Sequence, residues 1–469
     1  MLSWTVKKGT EKYSGKTISA QRVLEEYFSV PLTLSAFLSP LSLSLFKFKI
    51  SFMPIIADLH VHSKYAQAVS PRMSLFELQR QAEMKGIDVI GTGDFTHPLH
   101  FKAIKTELEP AEPGLLKYRG ASSKVRFMLT TEICNIFYSK TKQEKRIHSV
   151  VLAPSLDCVR KINLELAQWG HLEEDGRPTF RRHVKDLVRF LRLVDPDILC
   201  IPAHLWTPWY SLFGSNFGFN SLEECFEEET PYIHAIETGL DSDPAMNRRV
   251  PQLDDVACVS FSDAHSPEKV GREATVFGTA LNYHEMIGAI REKNPEKLLY
   301  TIEVDSRYGK YYWDGHRKCG TVMNPAETRN RKYLCPVCRQ KVTVGVQHRV
   351  EALAQRTEEF TPPAAIPFRT VLPLQMILAD ALGKETQSKT VEQEYGRLTA
   401  QLGTEFDILL TRTEGELQLA AHPLIAEAIL AVREKNYSLE PGYDGLWGKP
   451  FIIPAERRRM FARPQMEMF

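Results

Sequence analysis

Histidines and carboxylates recur where short apolar runs of this sequence end. His60 and His62 stand two positions apart after PIIADL, and Asp263 and His265 stand two positions apart after VACVSF. Because alternate residues of a β-strand point to the same side, each pair can hold one cation. Further residues of these types lie at or near the ends of other apolar runs: Asp94, His97, Glu132, His148, His204 and Glu237.

Together, these carboxylates and imidazoles predict a metal centre. Each residue alone has a commoner explanation, since a lone histidine is usually a hydrogen-bonded core residue and a strand-end aspartate often caps a helix. A cluster of them is costly to remove from water unless cations neutralise it. The ligands exceed what one ion needs, so we expect two or three divalent ions (Zn, Mn, Mg or Fe). Such a centre suits phosphoester hydrolysis, in which metal ions activate water and stabilise the leaving group.

The elements that must position these residues follow a β/α pattern. Runs rich in valine and isoleucine alternate with helical segments, which is typical of β/α units around a parallel sheet. Ser74 and Glu77 predict a capping box for a helix that Gly86 ends. Most candidate ligands follow the C-terminal ends of strands, where β/α barrels assemble active sites, but His148 lies near the start of its run. The candidate strands are PIIADLHVH, DVIGTGD, VRFMLTTEI, RIHSVVLAP, DILCIPAH, YIHAIETG and ACVSFSDAH.

A second cluster of metal-binding residues lies in the motifs GHRKC and CPVC: His316, Cys319, Cys335 and Cys338. Residue types and spacing predict a closed, tetrahedral structural zinc site, with His348 as an alternative fourth ligand. From residue 310 to residue 349 there are nine lysines and arginines and two acids, a net charge of +7. This stretch fits contacts to nucleic-acid phosphates, and a solvated charged surface is the alternative.

Composition bounds the class of protein. The 469-residue chain is 43% hydrophobic and 25% charged, as expected of a globular protein, and its net charge of +1 gives no overall attraction to nucleic acids or membranes. Five of the eight cysteines are scattered singly, which indicates a reduced, metal-using cytoplasmic protein. The apolar stretch before residue 52 is interrupted by Pro40 and by serines, so we expect no membrane span.

These patterns divide the chain into five segments. Residues 1–53 are expected to be a disordered or non-native extension, with Met53 as the candidate native start. We call residues 54–300, which carry the β/α pattern, the sheet region, and residues 301–349 the cysteine module. Residues 350–455 are expected to be mainly helical and form the helical region, and residues 456–469 are expected to be a flexible tail.

The metal motifs resemble those of the polymerase and histidinol phosphatase (PHP) superfamily. The matching segments are ADLHVHS, GTGDFTHP, TTEI, RIHSVV, PAH and SDAHS. The resemblance implies a distorted seven-stranded β/α barrel over residues 54–300 and a trinuclear metal site. It implies catalytic functions for Asp263, His265 and Glu132, and supporting positions for Asp58 and Glu237. The direct ligands that it implies are His60, His62, Asp94, His97, Glu132, His148, His204, Asp263 and His265.

Longer segments resemble the endonuclease Q family of this superfamily from about residue 54 to about residue 450. Among them are HLWTPWYSLFG, ETGLDSDPAMN, SDAHSPEKVGREA, TIEVDSRYGKYYWDGHRKC and PGYDGLWGKP. The resemblance implies a DNA-repair endonuclease that cuts on the 5′ side of a deaminated base (uracil, hypoxanthine or xanthine) or an abasic site, with the lesion extruded from the stack. Two alternatives are a phosphoesterase of small phosphorylated metabolites, which the basic cysteine module disfavours, and a nucleic-acid-binding scaffold with an inactive centre, which the complete ligand set disfavours.

Aromatic and basic residues near the predicted centre are candidate DNA contacts. Trp206, Trp209 and Tyr210 follow His204 and are placed either to stack on an extruded base or to pack around the barrel mouth. Arg272, Lys310 and the arginines and lysines of the cysteine module are candidate phosphate contacts.

Two positions depart from the family pattern and are also candidate base contacts. Asp241 in ETGLDSDP stands where the family usually has serine, and Phe261 in SFSDAH stands where it usually has asparagine. Because an acid and a phenyl ring cannot reproduce the hydrogen bonds of an amide, we expect an altered lesion preference.

The C-terminal heptapeptide RPQMEMF predicts a further partner. Gln465, Met468 and Phe469 are spaced like the peptides that dock in the apolar groove of a bacterial sliding clamp. A chance match at a frayed terminus is the alternative.

Overall fold

A computed structural model describes residues 52–462 of the chain. Each of the seven valine- and isoleucine-rich runs contains a β-strand, so these strand predictions are confirmed. The predicted extension up to residue 51 and the clamp motif at Gln465–Phe469 lie outside the described residues. Within residues 52–462, no helix combines the length and the apolar character that a membrane span requires.

The sheet region alternates short strands with helices. Its strands are β1 (Ile55–Asp58), β2 (Val89–Gly91), β3 (Leu108–Pro110), β4 (Leu116–Tyr118), β5 (Arg126–Tyr138), β6 (Glu144–Ala153), β7 (Thr179–Phe180), β8 (Leu199–Pro202), β9 (Ala235–Glu237), β10 (Ala257–Val259), β11 (Ala274–Phe277) and β12 (Leu298–Val304). Its α-helices are α1 (Leu75–Lys85), α2 (Pro98–Glu107), α3 (Leu156–Trp169), α4 (Val184–Val194), α5 (Leu222–Phe226), α6 (Pro244–Arg248) and α7 (Tyr283–Arg291).

Helix α1 begins and ends where the sequence predicts. The Ser74 hydroxyl accepts a hydrogen bond from the backbone N–H of Glu77, and Gly86 ends the helix with a left-handed φ of 86°. The predicted capping box is wrong in its second half, because the Glu77 carboxylate accepts hydrogen bonds from Arg80 and Gln81.

The sheet is mixed, which corrects the expectation of a parallel sheet. Strands β1, β2 and β5 are parallel neighbours, but β5 pairs antiparallel with β6, and β6 pairs antiparallel with β8. The physical reason is the short connection between β5 and β6, since a parallel pair needs a crossover of a dozen or more residues. This reversal also explains why His148 lies early in its run, because β6 runs opposite to its neighbours.

Seven strands nevertheless surround one apolar core. Each contributes at least one buried residue to the same cluster: Ala57, Val89, Met128, Val150, Leu199, Ala235 and Val259. Strands β9 and β10 form a separate parallel pair, which joins the others beyond the strand ends through Leu205 N–H to Glu237 O (3.0 Å) and His62 N–H to Ala264 O (3.1 Å). The fold is therefore mixed α/β, and its strand ladder is not a complete parallel (β/α)7 barrel.

The rest of the chain adds to this sheet and packs helices against it. Strand β12 pairs antiparallel with β11 and parallel with β15 of the helical region. The cysteine module contains β13 (Asp314–His316), β14 (Thr321–Met323), α8 (Pro325–Asn330) and the start of α9 (Val346–Leu353). The helical region contains β15 (Phe368–Val371), α10 (Leu374–Leu382), α11 (Lys389–Leu402), α12 (Glu414–Ala420), α13 (Pro423–Arg433), β16 (Ser438–Glu440), β17 (Lys449–Phe451) and the start of α14 (Ala455–Ala462).

A buried ion pair joins the helical region to the sheet region. Lys85 Nζ of α1 lies 2.9 Å from Glu405 Oε2, and both side chains are almost fully buried. The same carboxylate accepts hydrogen bonds from the Tyr395 hydroxyl and the Leu374 backbone N–H. Since removal of one partner leaves a buried charge without compensation, this cluster specifies how α10 and α11 sit on α1.

Candidate metal centre

The structure brings most of the predicted ligands together at one end of the seven strands. His60 and His62 follow β1, Glu132 and His148 lie within β5 and β6, and His204 follows β8. Asp263 and His265 follow β10. The ligand atoms of three overlapping groups lie within 4.8 Å of one another: His60, His62 and Glu132; His62, Asp263 and His265; and Glu132, His148 and His204.

The backbone turns sharply where three site residues leave their strands. Asp94, His204 and Asp263 have positive φ values of 40°, 31° and 46°, a left-handed region that non-glycine residues seldom adopt. The neighbouring Gly239 is also left-handed, and a Cβ there would lie 2.7 Å from the Cβ of His204. Such strain persists only where surrounding contacts hold it, and it is concentrated at functional sites.

Two carboxylates orient the first pair of imidazoles. Glu237 Oε1 lies 2.9 Å from His60 Nδ1, and Asp94 Oδ1 lies 3.0 Å from His62 Nδ1. These contacts direct both Nε2 atoms toward Asp263 Oδ1, at 3.6 and 3.2 Å. A carboxylate on the far nitrogen of a histidine is the usual way to fix the ring of a metal ligand.

A third carboxylate supports the loop that carries Asp263 and His265. Asp58 accepts hydrogen bonds from the backbone N–H groups of Ser262 (2.9 Å) and Gly271 (2.8 Å). Complete burial raises the pKa of Asp58 to about 6, although these hydrogen bonds oppose the rise. The predicted supporting positions of Asp58 and Glu237 agree with these contacts.

The buried carboxylates of the centre favour positive charge beside them. Burial opposes protonation of His60, yet the carboxylates of Glu237, Glu132 and Asp263 raise the pKa of this imidazole well above its usual value. Despite burial, His148, His60 and Arg177 hold the pKa of Glu132 well below its usual range. His265, His60 and His62 do the same for the pKa of Asp263. Metal ions would supply this charge and displace the protons.

The donor atoms also fit metal ions. Several buried nitrogen and oxygen atoms make no well-aligned hydrogen bond within the described part of the chain: His60 Nε2, His62 Nε2, His148 Nδ1, His204 Nδ1 and Asp263 Oδ1. Two of these nitrogens lie close to carboxylate oxygens, with His62 Nε2 3.2 Å from Asp263 Oδ1 and His148 Nδ1 2.8 Å from Glu132 Oε1. Burial lowers the pKa of His148 to about 4, so its imidazole is neutral and able to bind a metal. These are the ligand types of Zn, Mn and Fe sites.

Two predicted ligands stand apart from the three groups. Asp94 contacts His62 Nδ1 and also accepts hydrogen bonds from the backbone N–H and the hydroxyl of Ser63. His97 Nε2 lies 3.2 Å from the Glu173 carbonyl oxygen, and its ring stacks on Tyr65 at 4.4 Å. Direct ligation by Asp94 and His97 stays a prediction.

The cysteine cluster is compact. Its four members, His316, Cys319, Cys335 and Cys338, place their ligand atoms within 4.8 Å of one another. The alternative ligand His348 instead lies 2.6 Å from Asp314 Oδ2 through its Nδ1. The geometry therefore favours His316 as the nitrogen ligand of a Cys3His site.

Two of the predicted base contacts are core residues. Trp206 is 1% exposed, and its indole N–H donates to Asn247 Oδ1 at 2.8 Å. Phe261 is also 1% exposed and belongs to the apolar core inside the seven strands. The structure thus corrects the expectation that these side chains meet a base, because neither is accessible. Trp209, at 37% exposed, is accessible, and Tyr210 lies beside His148 at 4.8 Å.

The two polar candidates are tied to the backbone. Asp241 Oδ1 accepts a hydrogen bond from the Tyr311 N–H at 2.6 Å, and burial raises the pKa of Asp241 to about 6. Arg272 donates to the carbonyl oxygens of Ser262 (2.8 Å) and Asp263 (3.3 Å). Both residues therefore hold segments next to the centre in place.

Two residues at the centre were missed by sequence reasoning. Arg177 Nη1 lies 3.2 Å from Glu132 Oε2, and the indole of Trp447 lies beside Arg272. Arg177 stands in a loop with no motif of its own, so no sequence signal marks it. Trp447 stands in PGYDGLWGKP, almost 200 residues after Asp263, and only the fold brings it to the centre.

Family and sequence comparisons match different parts of the chain. The model of the MJ0043 C-terminal domain matches residues 373–436, within the helical region. The uncharacterized protein YqxK of Bacillus subtilis is 27% identical over 409 residues, which cover 84% of this chain and 98% of YqxK. The uncharacterized protein MJ0043 of Methanocaldococcus jannaschii is 29% identical over 257 residues, and the match spans 53% of this chain and 31% of that protein.

Two solved structures resemble this chain over most of its length. The lesion-specific endonuclease PfuEndoQ from Pyrococcus furiosus has a TM-score of 0.76 and 28% identity, and the match covers 86% of this chain and 96% of PfuEndoQ. A complex of endonuclease Q with a 27-mer duplex substrate, with an abasic lesion at the active site, has a TM-score of 0.77 and 28% identity and covers 86% and 98%. The predicted resemblance to endonuclease Q is confirmed. The alternative of a small-metabolite phosphoesterase is not favoured, because the match extends well beyond the sheet region.

Proposed function

We propose that this protein, a structural relative of endonuclease Q, is a metal-dependent DNA-repair endonuclease. It would hydrolyse a phosphodiester on the 5′ side of an abasic site or of a deaminated base such as uracil, hypoxanthine or xanthine. The observation that carries the proposal is the buried centre of histidines and carboxylates, in a chain whose fold matches a lesion-specific endonuclease over 86% of its length.

The exposure of the candidate ligands indicates where the substrate binds. The side chains of Asp263 and His265 are 28% and 26% exposed, whereas His60, His62 and Glu132 are at most 1% exposed. We infer that the scissile phosphodiester approaches on the side of Asp263 and His265. The three buried residues, with His148 and His204, would hold the metal ions from beneath.

The chain supplies distinct contributions to hydrolysis. When bound, divalent ions supply Lewis acidity that activates water and offsets charge on the phosphate. His265 Nδ1 lies 2.9 Å from the Asp263 carbonyl oxygen, and a proton held on Nδ1 leaves the lone pair of Nε2 free to bind a metal ion. The guanidinium of Arg177, beside Glu132, is placed to stabilise negative charge that develops on the phosphate.

An incision assay tests this proposal. Purified protein with Mg2+ or Mn2+ is incubated with labelled duplexes that carry uracil, hypoxanthine, xanthine, an abasic site or no lesion. We expect a single nick 5′ to the lesion and an intact undamaged duplex. Turnover of a generic phosphomonoester without incision of any duplex would reject the proposal.

Lesion preference is a separate proposal that rests on Asp241. Since Asp241 holds the backbone of Tyr311 next to the centre, we infer that it influences lesion preference through this segment. Asp241→Ser is expected to change the ranking of lesions in the incision assay. Phe261→Asn is the matched comparison: it removes a buried ring and buries an amide, so it is expected to cost about 3 kcal/mol of stability and leave the ranking unchanged. An unchanged ranking in Asp241→Ser would contradict the inference.

The exposed cations of the cysteine module are proposed to contact backbone phosphates. Side chains with this exposure are Arg317, Lys318, Arg329, Arg331, Lys332, Arg339 and Lys341, of which Arg329 is paired with Glu351. Replacing Lys332 and Lys341 by alanine should weaken binding of all duplexes alike and lower its salt dependence. A loss confined to lesion-bearing DNA would argue for a different interface.

The sliding clamp is proposed as a further partner through Gln465, Met468 and Phe469. Removal of residues 464–469 should abolish capture by immobilised clamp and leave incision intact. Unchanged capture would eliminate this partner.

A further inference from the structure

A C-terminal segment reaches back to the metal centre. Residues 437–448, which we call the C-terminal strap, form backbone hydrogen bonds with residues 307–310 at the start of the cysteine module. Gly442 N–H donates to Arg307 O (2.9 Å), Gly445 N–H donates to Lys310 O (3.0 Å), and Gly448 N–H donates to Tyr308 O (2.9 Å). The strap therefore positions its residues by regular main-chain bonds.

The strap places Trp447 among three cations. The indole stacks on Tyr308, with ring centroids 4.8 Å apart and an interplanar angle of 19°. Lys310 Nζ lies 4.8 Å from the centroid of the indole ring, the Arg272 guanidinium carbon 5.5 Å and Lys269 Nζ 5.8 Å. Each distance falls within the range of a cation–π interaction, so one aromatic ring gathers three positive charges.

These cations adjoin the candidate metal centre, and the carboxylates of Asp263 and Asp241 act on them only from beyond ion-pair distance. Arg272 donates to the carbonyl oxygen of Asp263, which ties the group to the candidate ligands. Among the described residues, none of the three cations forms an ion pair with a carboxylate within 4.0 Å. Burial and the neighbouring positive charges lower the pKa values of Lys269 and Lys310. Repulsion of this kind is relieved when an anion binds.

We propose that Trp447 gathers Lys269, Arg272 and Lys310 into a phosphate-binding subsite beside the metal centre, which takes a backbone phosphate of the strand to be incised. The inference rests on the proposed nuclease function and identifies how the strand is held next to the reacting bond. Trp447 is a positioning residue, the ammonium groups of Lys269 and Lys310 bind the phosphate, and the buried guanidinium of Arg272 adds positive charge from behind them. The strap thus makes the helical region part of the active site.

The salt dependence of DNA binding tests the subsite. Binding of a labelled duplex with one abasic site is measured by fluorescence anisotropy at several KCl concentrations, with Asp263→Asn as the common background so that DNA stays intact. Each phosphate contact contributes about 0.9 to the slope of log K against log salt. Lys310→Ala and Lys269→Ala are each expected to reduce the slope by about this amount. Lys384→Ala, an exposed lysine of the helical region, is the control and should leave the slope unchanged.

Variants of Trp447 test the positioning role. Trp447→Leu is expected to reduce the slope of log K against log salt by about 0.9 or more, the value of one phosphate contact. Without the indole, mutual repulsion moves the three cations away from one another. Trp447→Phe keeps an aromatic face and should retain most of the slope, with thermal unfolding measured for both variants. A wild-type slope in Trp447→Leu, or equal losses in the Leu and Phe variants, would overturn the positioning of the cations by the indole.

A neutral methylphosphonate, introduced at one backbone position at a time near the lesion, identifies the bound phosphate. At the position whose phosphate occupies the subsite, Lys310→Ala and the methylphosphonate should each weaken DNA binding. Combining the two changes should weaken binding no more than either change alone. Additive losses of binding at every position would overturn the subsite. The subsite would also be overturned if millimolar inorganic phosphate, at constant ionic strength, weakened DNA binding while no methylphosphonate did, because the site would then bind free phosphate and not the DNA backbone. Incision by the wild-type protein is measured separately, so binding without incision would reject the nuclease and leave the subsite intact.

Discussion

The candidate metal centre and the cysteine cluster differ in their ligand atoms, in the length of chain that supplies them and in their exposure. The cysteine cluster takes three sulfurs and one nitrogen from a stretch of the chain between residues 316 and 338, and its ligand atoms lie within 4.8 Å of one another. The metal centre takes imidazoles and carboxylates from residues 60 to 265, and two of its members are more than a quarter exposed. Closed cysteine-rich sites stabilise structure, whereas centres with accessible positions bind substrate.

The two sites also differ in what surrounds them. Glu237, Asp94 and Asp58 orient the imidazoles or the loop of the metal centre, and three of its residues hold left-handed backbone conformations. The cysteine cluster lies between a two-stranded hairpin and nearby turns. The difference teaches that a local hairpin and its turns can bring four ligand-type residues together, whereas the candidate metal centre draws its residues from several strands of the sheet region.

The largest expected effect tests whether the metal centre is catalytic. Asp263→Asn removes a carboxylate charge that lies 3.2 Å from His62 Nε2 and faces the proposed substrate side. We expect kcat for incision to fall about 10³-fold, which corresponds to about 4 kcal/mol of transition-state stabilisation. Circular dichroism and the Tm should stay close to wild type. Full incision activity in Asp263→Asn would contradict a catalytic function of the metal centre.

A second prediction concerns the guanidinium of Arg177 at the candidate metal centre. Arg177→Met removes a positive charge beside Glu132, and kcat is expected to fall about 10²-fold with a smaller change in KM. Arg177→Lys keeps the charge and should recover part of the loss. If KM rose and kcat stayed constant, Arg177 would belong to substrate binding.

A substitution in the cysteine cluster should lower the metal content and the stability and leave kcat unchanged. Cys335→Ser is expected to lower the zinc content by one ion per chain and to lower the Tm, because metal binding is coupled to folding of such modules. Incision should fall about tenfold through weaker DNA binding, with kcat retained at saturating duplex. Metal analysis and steady-state kinetics on the same preparation check both parts. Loss of kcat with unchanged zinc content would contradict a structural site.

The smallest effect concerns a buried acid beneath the metal centre. The Glu303 carboxylate accepts hydrogen bonds from the hydroxyls of Thr238 and Ser260, and burial raises its pKa from 4.5 to about 8. The folded protein therefore binds this proton more tightly than the unfolded chain, so its contribution to stability is present below about pH 4.5 and is lost as pH rises toward 8. Glu303→Gln should flatten the decline of the Tm between pH 5.5 and 8. An identical pH profile in wild type and variant would show that Glu303 is ionised in the fold.

Periodicity and motif spacing predicted a large part of this molecule. Helix α1 followed from its capping residues Ser74 and Gly86. The seven strands followed from apolar runs, and ligand-type residues at or near the ends of most runs indicated the grouping of His60, His62, Glu132, His148, His204, Asp263 and His265. These patterns are local, and the ends of neighbouring strands meet by the geometry of a sheet. The grouping of the three cysteines followed from their spacing, whereas the structure favoured His316 over His348 as the fourth ligand.

Strand direction and side-chain accessibility were harder to predict. The turn between β5 and β6 forced an antiparallel pair that the expectation of parallel β/α units overlooked. Trp206 and Phe261 stand beside candidate ligands in the sequence, yet both side chains point into the core. Proximity along the chain carries no information about which face of an element a side chain occupies once the strand has ended.

By itself, the sequence determined which residues can bind metals and in what order the strands that carry them occur. Only the tertiary structure decided that Arg177 stands beside Glu132 and that Trp447 gathers cations next to Asp263. The physical reason is the range of the interactions. Ligand pairs and turns depend on neighbours within a few residues, whereas contacts between distant segments depend on how the helical region packs on the sheet.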